Sequence, residues 1–403
     1  MASLISDRGA RLLFFLSILA RLPLAMFSIG LLVHAEHLTS SFAAAGAVTG
    51  AYAVALGVGG PLLGRLVDQR GQRLVLLASA VVGASLLGVI ATLPVGTPTG
   101  VLVVLAGGIG FATPPVGACL RTLLPAILPD ASQARAAYAL EATAVELTWV
   151  FGPPLALALG ALWSTGTALA LGGFALLAAT AAFAWQPASH EWRPAADAQR
   201  LRGGSLRSPA IRTLIFVLLA VGVLFGAVEV GAAAAAQANG GSTAAAAPLL
   251  ALWGVGSLIG GLVAARLGGG PTSAAGLALV LGALAVGHLT LVSVAGSNVA
   301  LGVVLFVAGT AIAPTYAAVY AMADQAAPAG TVTEAFAWLA TAVGIGAAAG
   351  AAGAGVLTDH KGPVAAFALA GAAGAMAALC TTIRSRTLLP GAARTLVVTV
   401  QSD

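Results

Sequence analysis

The sequence predicts an all-α membrane protein with twelve transmembrane helices in two pseudo-symmetric six-helix bundles. Three observations predict it. Of 403 residues, 59% are hydrophobic and 8% charged; apolar windows of spanning length recur along the whole chain; and one long polar stretch divides them six and six. A soluble domain carries about 25% charged residues, whereas mean hydropathy here is +1.01. That much apolar material exceeds what a water-soluble core of this length can bury. A soluble enzyme, a nucleic-acid-binding domain and a disordered chain are excluded.

A spanning helix needs about 20 residues. Apolar windows place the spans at 11–33, 41–63, 74–93, 100–123, 137–160 and 166–185, then 211–234, 246–265, 273–294, 299–321, 333–356 and 364–383. The first run follows Arg8 and Arg11 and reaches about His34 without a small-residue cleavage site, so it reads as a retained helix rather than a signal peptide. Residues 186–209 form the long polar stretch. The domain reading is therefore an N-terminal bundle 1–185, a linker 186–210, a C-terminal bundle 211–383 and a tail 384–403.

Arginine placement sets the orientation. With the N-terminus in the cytoplasm, sixteen basic residues fall on the inner side and Lys361 alone on the outer. This positive-inside pattern predicts a multi-pass protein of the cell (inner) membrane with both termini cytoplasmic. It also accounts for a pI near 9.9 without nucleic acid. The halves echo each other: GRLVDQRG at 64–71 follows the second helix and GGLVAARLGG at 260–269 the eighth, Pro114 matches Pro314, and EATAVEL from Glu141 matches EAFAWLA from Glu334. Such echoes indicate duplication of a six-helix unit, as in transporters built from repeats.

The stretch GRLVDQRGQR, residues 64–73, is placed in the loop between helices two and three. It resembles the signature loop of the major facilitator superfamily, with Gly64, Leu66, Asp68, Gly71 and Arg73 matching and Gln69 and Gln72 departing. An aspartate flanked by arginines can accept charge-assisted hydrogen bonds or sit against a helix N-terminus. Gly64, Asp68, Arg70, Gly71, Arg73 and Arg121 are accordingly the candidate conformational latch, with Arg121 a partner for Asp68. Phe151-Gly152-Pro153-Pro154 in helix five resembles the Gly-Pro element of drug/proton antiporters, although the flanking glycines and an early arginine in helix four are missing.

Ionisable residues at membrane depth suggest function. Arg21 and Glu146 lie at similar depths in helices one and five and are expected to pair as a proton- and substrate-coupling unit; Glu229 in helix seven is the other proton-carrier candidate. Tyr52, Trp149, Phe225, Trp253, Tyr316 and Tyr320 are candidates to line an amphipathic cavity. Other features take a structural reading. Thr331 and Glu334 form a capping box, and Glu141 sits near the inner boundary, meeting cytoplasmic arginines. His34, Glu36 and His37 fall short of a closed metal site, and His288 is a packing histidine. The strings GVGG, GGIG and GIGAAAGAAGAG let helices approach, while Cys119 and Cys380 are inert buried thiols.

The resemblance and these residues imply a secondary-active transporter with alternating access: no enzyme, no cofactor, no metal. The reading is proton-coupled efflux of a small amphipathic organic compound by a monomer, with protons and membrane lipid as its other partners. The alternatives are uptake or exchange of an organic anion anchored by Arg21, and a non-transporting membrane receptor.

Overall fold

The computed structural model describes residues 8–128, 130–193, 204–240 and 246–388, except that the side chains of residues 8, 146, 147, 149 and 150 lie outside the described set. The N-terminal set of helices is α1 (Arg8–Thr39), α2 (Phe42–Arg70), α3 (Gln72–Ala91), α4 (Thr99–Phe111 continuing as Val116–Ile127), α5 (Ala131–Leu162) and α6 (Thr165–Ala184). After the four-residue helix Pro187–His190 come α7 (Pro209–Ala238), α8 (Ala246–Arg266), α9 (Ala274–Val294), α10 (Asn298–Gly309 continuing as Ile312–Ala326), α11 (Val332–Lys361) and α12 (Pro363–Ile383). Eleven of these are long and apolar enough to cross a membrane. The twelfth, α5, holds four of the residues with undescribed side chains, 146, 147, 149 and 150; its second part, Phe151–Leu162, is apolar.

Among the described residues, serines supply five of the six N-caps made by the cap residue's own side chain. Ser41, Ser164, Ser208, Ser273 and Ser297 each accept a backbone N–H from the first turn of α2, α6, α7, α9 and α10, satisfying donors that a helix start leaves open. Several helices outrun their apolar windows. The largest correction concerns residues 64–70, read as loop: they are the last two turns of α2, and Gly71 alone makes the turn into α3. Its φ of +95° belongs to the region glycine tolerates without a Cβ clash.

Glycine contacts follow the duplication. A Cβ on Gly59 would strike the Phe111 carbonyl, and one on Gly110 the Tyr52 carbonyl, where α2 crosses α4. The same collisions arise between Gly256 and Phe306 and between Gly309 and Trp253, where α8 crosses α10. Without a hydrophobic drive between helices in lipid, such backbone-to-backbone packing is a main source of association. Cys119 is buried, whereas Cys380 is only half-buried, a correction to the paired reading.

All antiparallel spans place the starts of the odd helices and the ends of the even ones on one face, here termed the basic face. Hydrogen bonds between α1–α6 and α7–α12 join the basic-face side and mid-depth. Arg135 donates to the Gly268 carbonyl at 3.2 Å, Thr122 meets Thr333 at 3.1 Å, Thr341 donates to the Gly57 carbonyl at 3.0 Å, and Asp68 accepts from two amides of α11. The protein is closed at the basic face.

Candidate functional site: a buried ion triad, a ring ladder and a capped helix

Three charged side chains meet inside the N-terminal set. Glu141 of α5 is fully buried; Arg121 of α4 donates Nε to its Oε2 at 3.0 Å and Nη2 to its Oε1 at 2.9 Å. Arg21 of α1 donates Nη1 to the same Oε1 and Nε to the Ser17 carbonyl at 3.1 Å. Two guanidiniums on one carboxylate leave a net positive charge. Among the described residues, the buried Arg21 Nη2 has no hydrogen-bond partner, and Arg21 as a whole is 9% exposed. Buried ionic groups are sustained only by dense mutual hydrogen bonding, so one unused donor stands out.

This is not the pairing read from the sequence. Arg21 meets Glu141, five residues before Glu146, whose side chain lies outside the described residues. Arg121 is likewise engaged by Glu141 rather than by Asp68. The apolar windows start α5 near residue 137, which makes Glu141 look shallow. The helix starts at Ala131 because the Asp130 carboxylate caps it, accepting from the Ser132 amide at 2.8 Å and hydroxyl at 2.9 Å. Those bonds hold the exposed Asp130 carboxyl below its ordinary range. Glu141 then lies ten residues deep, about 15 Å along the helix.

From the triad an aromatic ladder runs into the C-terminal set. The Arg121 guanidinium stacks over Tyr320 at 4.1 Å and stands 6.0 Å from Phe336, and Tyr138 donates its hydroxyl to the Arg121 carbonyl. Tyr320 adjoins Tyr316 at 5.6 Å between ring centres, Tyr316 adjoins Phe225 at 6.2 Å, and Phe225 meets Trp253 edge-on at 5.2 Å. Trp253 ends the ladder by donating Nε1–H to His288 Nε2 at 3.2 Å, while His288 Nδ1 donates to the Leu284 carbonyl. Four of the six aromatic candidates, Phe225, Trp253, Tyr316 and Tyr320, are thus brought together. Tyr52 is separate, buried in an apolar cluster of α1–α4 and α6 with Phe27 and Ile109; the Trp149 side chain lies outside the described residues. Glu229 is exposed on α7, one turn past Phe225 and on its face. Gly152 is a packing residue, since a Cβ there would press on Ala25 at 3.0 Å or less.

The signature residues make a different structure. Asp68 is buried and accepts the Thr333 amide at 3.2 Å and the Glu334 amide at 2.8 Å. These are the second and third residues of α11, the donors an N-cap side chain satisfies. Thr331, at the N-cap position, makes no such bond and donates its hydroxyl to the Pro328 carbonyl instead. The expected capping box is therefore absent, and the cap comes from α2. Gly64 makes room, its Cα facing Thr333 and Ala337. The Glu334 carboxylate packs against Gly204, where φ is +57° and a side chain would collide with it. Gln72 is buried, donating to the Cys119 carbonyl and accepting from the Ser189 hydroxyl. Arg70 and Arg73 are exposed, and Arg73 donates to His190.

Sequence reasoning set Glu141 against cytoplasmic arginines, which holds for Arg121, but missed Arg21 as its second partner, Tyr138 and Phe336 as ring partners, and Gln72 as a buried tie. For Glu141 a signal existed, since Arg121 and Glu141 lie near the facing ends of consecutive antiparallel spans.

Comparison with known proteins adds the family. The Major Facilitator Superfamily model matches residues 13–333, while curated protein sequences give no significant match. Similar solved folds include a bacterial homologue of the iron transporter ferroportin in an outward-facing state, at 15% identity and TM-score 0.74, covering 94% of this chain and 100% of that one. They also include the proton:xylose symporter XylE, at 15% identity and TM-score 0.68 with 94% and 96% covered, and the human organic anion transporter MFSD10, at 17% identity and TM-score 0.66 with 93% and 100% covered. With twelve helices in two like sets and a family match over most of its length, the chain belongs to the major facilitator superfamily and is a multi-pass membrane transporter.

Proposed function

We propose that this transporter carries a small organic anion with an aromatic or apolar body, by alternating access, and that its basic face is cytoplasmic. One observation carries the reading: a buried guanidinium nitrogen of Arg21 without a partner among the described residues, in a triad of net positive charge that continues into a ladder of rings. An anionic substrate group satisfies the open donor, and its apolar part finds aromatic surface. Guanidinium and carboxylate suit each other geometrically. An anion that draws Arg21 away leaves Arg121 to hold Glu141 with two hydrogen bonds. The bond exchanged is of the same kind as the bond formed, so substrate is recognised without being trapped.

The test is transport by proteoliposomes against a panel of aromatic carboxylates, aliphatic carboxylates and amphipathic cations. Exchange of aromatic carboxylates is expected, abolished in Arg21→Gln and partly kept in Arg21→Lys. Movement of cations alone would overturn the reading. A second reading, proton-coupled efflux of an amphipathic compound, draws support from Glu229, exposed one turn past Phe225. It requires Glu229→Gln to abolish accumulation driven by a pH gradient while sparing exchange.

A further inference from the structure

On the basic face a groove of about 760 Å³ opens where α3 meets the helix Pro187–His190. Its two ends differ in chemistry. At the head stand Arg70, Arg73 and Arg193 with Trp192; below them the wall is Leu74, Ala78, Val81 and Val82 of α3. These four share one helix face and descend about 12 Å. Leu74, Val81 and Val82 are 62%, 50% and 49% exposed.

The three arginines are exposed and, among the described residues, have no anionic partner. Both ion pairs among the described residues involve Glu141, and the neighbouring Glu191 is exposed outside any such pair. Arg73 donates to His190 Nε2 at 2.6 Å and stacks over Trp185 at 5.6 Å, while Arg193 donates to the His190 and Trp192 carbonyls. The Arg73 and Arg193 guanidiniums are therefore held in place at the head of an apolar track, with Arg70 exposed beside them.

We propose that this groove binds one anionic glycerophospholipid of the adjacent leaflet. The phosphodiester sits on the arginines, whose forked donors fit phosphate oxygens. Trp192 lies at headgroup level, where its ring is favoured, and one acyl chain follows Leu74 to Val82 within a leaflet about 15 Å deep. Charge and shape select this occupant together: a free anion has no use for the track, and a zwitterionic lipid gains less from three arginines. The bound lipid fastens the helix Pro187–His190 to α3. Through the Ser189–Gln72–Cys119 hydrogen bonds it also reaches α4.

The test uses the purified full chain in detergent, with native mass spectrometry and thermal unfolding in dioleoyl phosphatidylglycerol, dioleoyl phosphatidylcholine or inorganic phosphate. Phosphatidylglycerol is expected to be retained and to raise the unfolding temperature more than the other two. Each arginine near an anionic lipid surface is worth a several-fold gain in binding, so Arg73→Gln with Arg193→Gln should weaken phosphatidylglycerol by about tenfold or more. The Arg73→Lys/Arg193→Lys pair should keep most of the preference. Ala78→Trp, which fills the track with all arginines in place, should weaken it too, and this variant decides the matter if the glutamine pair does not fold. Equal retention of the two lipids, indifference to these variants, or equal protection by millimolar phosphate would each overturn the proposal.

Discussion

Helices α5 and α11 hold corresponding places in the two repeats, yet their beginnings are secured in opposite ways. The start of α5 is capped from within its own segment by Asp130, through the Ser132 amide and hydroxyl. The start of α11 is capped by Asp68, more than 260 residues away and across the boundary between the two sets of helices. At the offset of 196 that relates Gly64 to Gly260, the counterpart of Asp68 is Ala264, which offers no acceptor. A self-capped helix start is indifferent to how the halves are arranged. A start capped from the other half is complete only while the basic face is closed. The duplication therefore supplies two equivalent helix ends, of which one is capped within its own segment and the other from the opposite set of helices.

The glutamates sharpen the contrast. The sequence pairs Glu141 with Glu334, but the helix starts, Ala131 and Val332, put Ala342 opposite Glu141 and Gln133 opposite Glu334. The two acids are unrelated by the repeat and do unrelated work. Glu141 is the shared anion of two arginines, and Glu334 packs its carboxylate against the linker at Gly204. The largest expected effect follows. Glu141→Gln strands two buried guanidiniums and should destabilise the fold by about 3–5 kcal/mol, read as a fall in unfolding temperature. Ala342→Ser, at the equivalent depth of α11, should be close to neutral. Equal losses would break the distinction.

Next in size is the cap that Asp68 places on α11. Asp68→Ala removes two hydrogen bonds to a charged acceptor, each worth about 1.5–3 kcal/mol, and the loss falls on the closed state alone. The population closed at the basic face should drop on the order of tenfold or more, measured by spin-label distances across that face, with little change in expression. Asp130→Ala should do the reverse. It frays α5, visible as faster amide exchange at Ser132 and Gln133, and leaves the spin-label distances unchanged. Because the Asp130 carboxyl is held below its ordinary range, its contribution is complete above the usual aspartate range. That contribution disappears as pH falls through the lowered value, so the amide protection should fade in acid.

Much of this was legible in the sequence, and the remainder was hidden for definite reasons. The spans and their division into two like sets follow from hydropathy and arginine spacing, because the bilayer imposes one length and one composition on every span; the linker reading falls largely on residues 194–203, outside the described set. The end of α2 was not legible: Arg65, Asp68, Gln69 and Arg70 read as loop, since apolar windows end where polar residues begin and helices do not. Asp68 against a helix N-terminus was foreseeable as chemistry, but which helix could not follow from a sequence separation of 265 residues. The depth of Glu141 was lost with the six residues by which Asp130 lengthens α5. Four ring residues of the ladder were identifiable as aromatic, but not as neighbours, because adjacency of helices is a property of the packed bundle.

The smallest effect tests the logic of the comparison most directly. Thr331 occupies the N-cap of α11 with φ −135° and ψ 16°, and its hydroxyl is spent on Pro328. Thr331→Asp would give α11 the internal cap that α5 already has. The new carboxylate competes with Asp68 for the Thr333 and Glu334 amides, and the two anions repel at the same helix end. Helix α11 should thus become complete in both states, and the closed state should lose its advantage. An N-cap is worth about 1 kcal/mol, so the closed population should fall about fivefold, less than for Asp68→Ala. Adding Asp68→Asn to Thr331→Asp should then shift the population little further, because the bond it removes has already been surrendered. If the two substitutions instead add in full, the amides of α11 are not the shared partner, and the latch must work through some contact other than the cap.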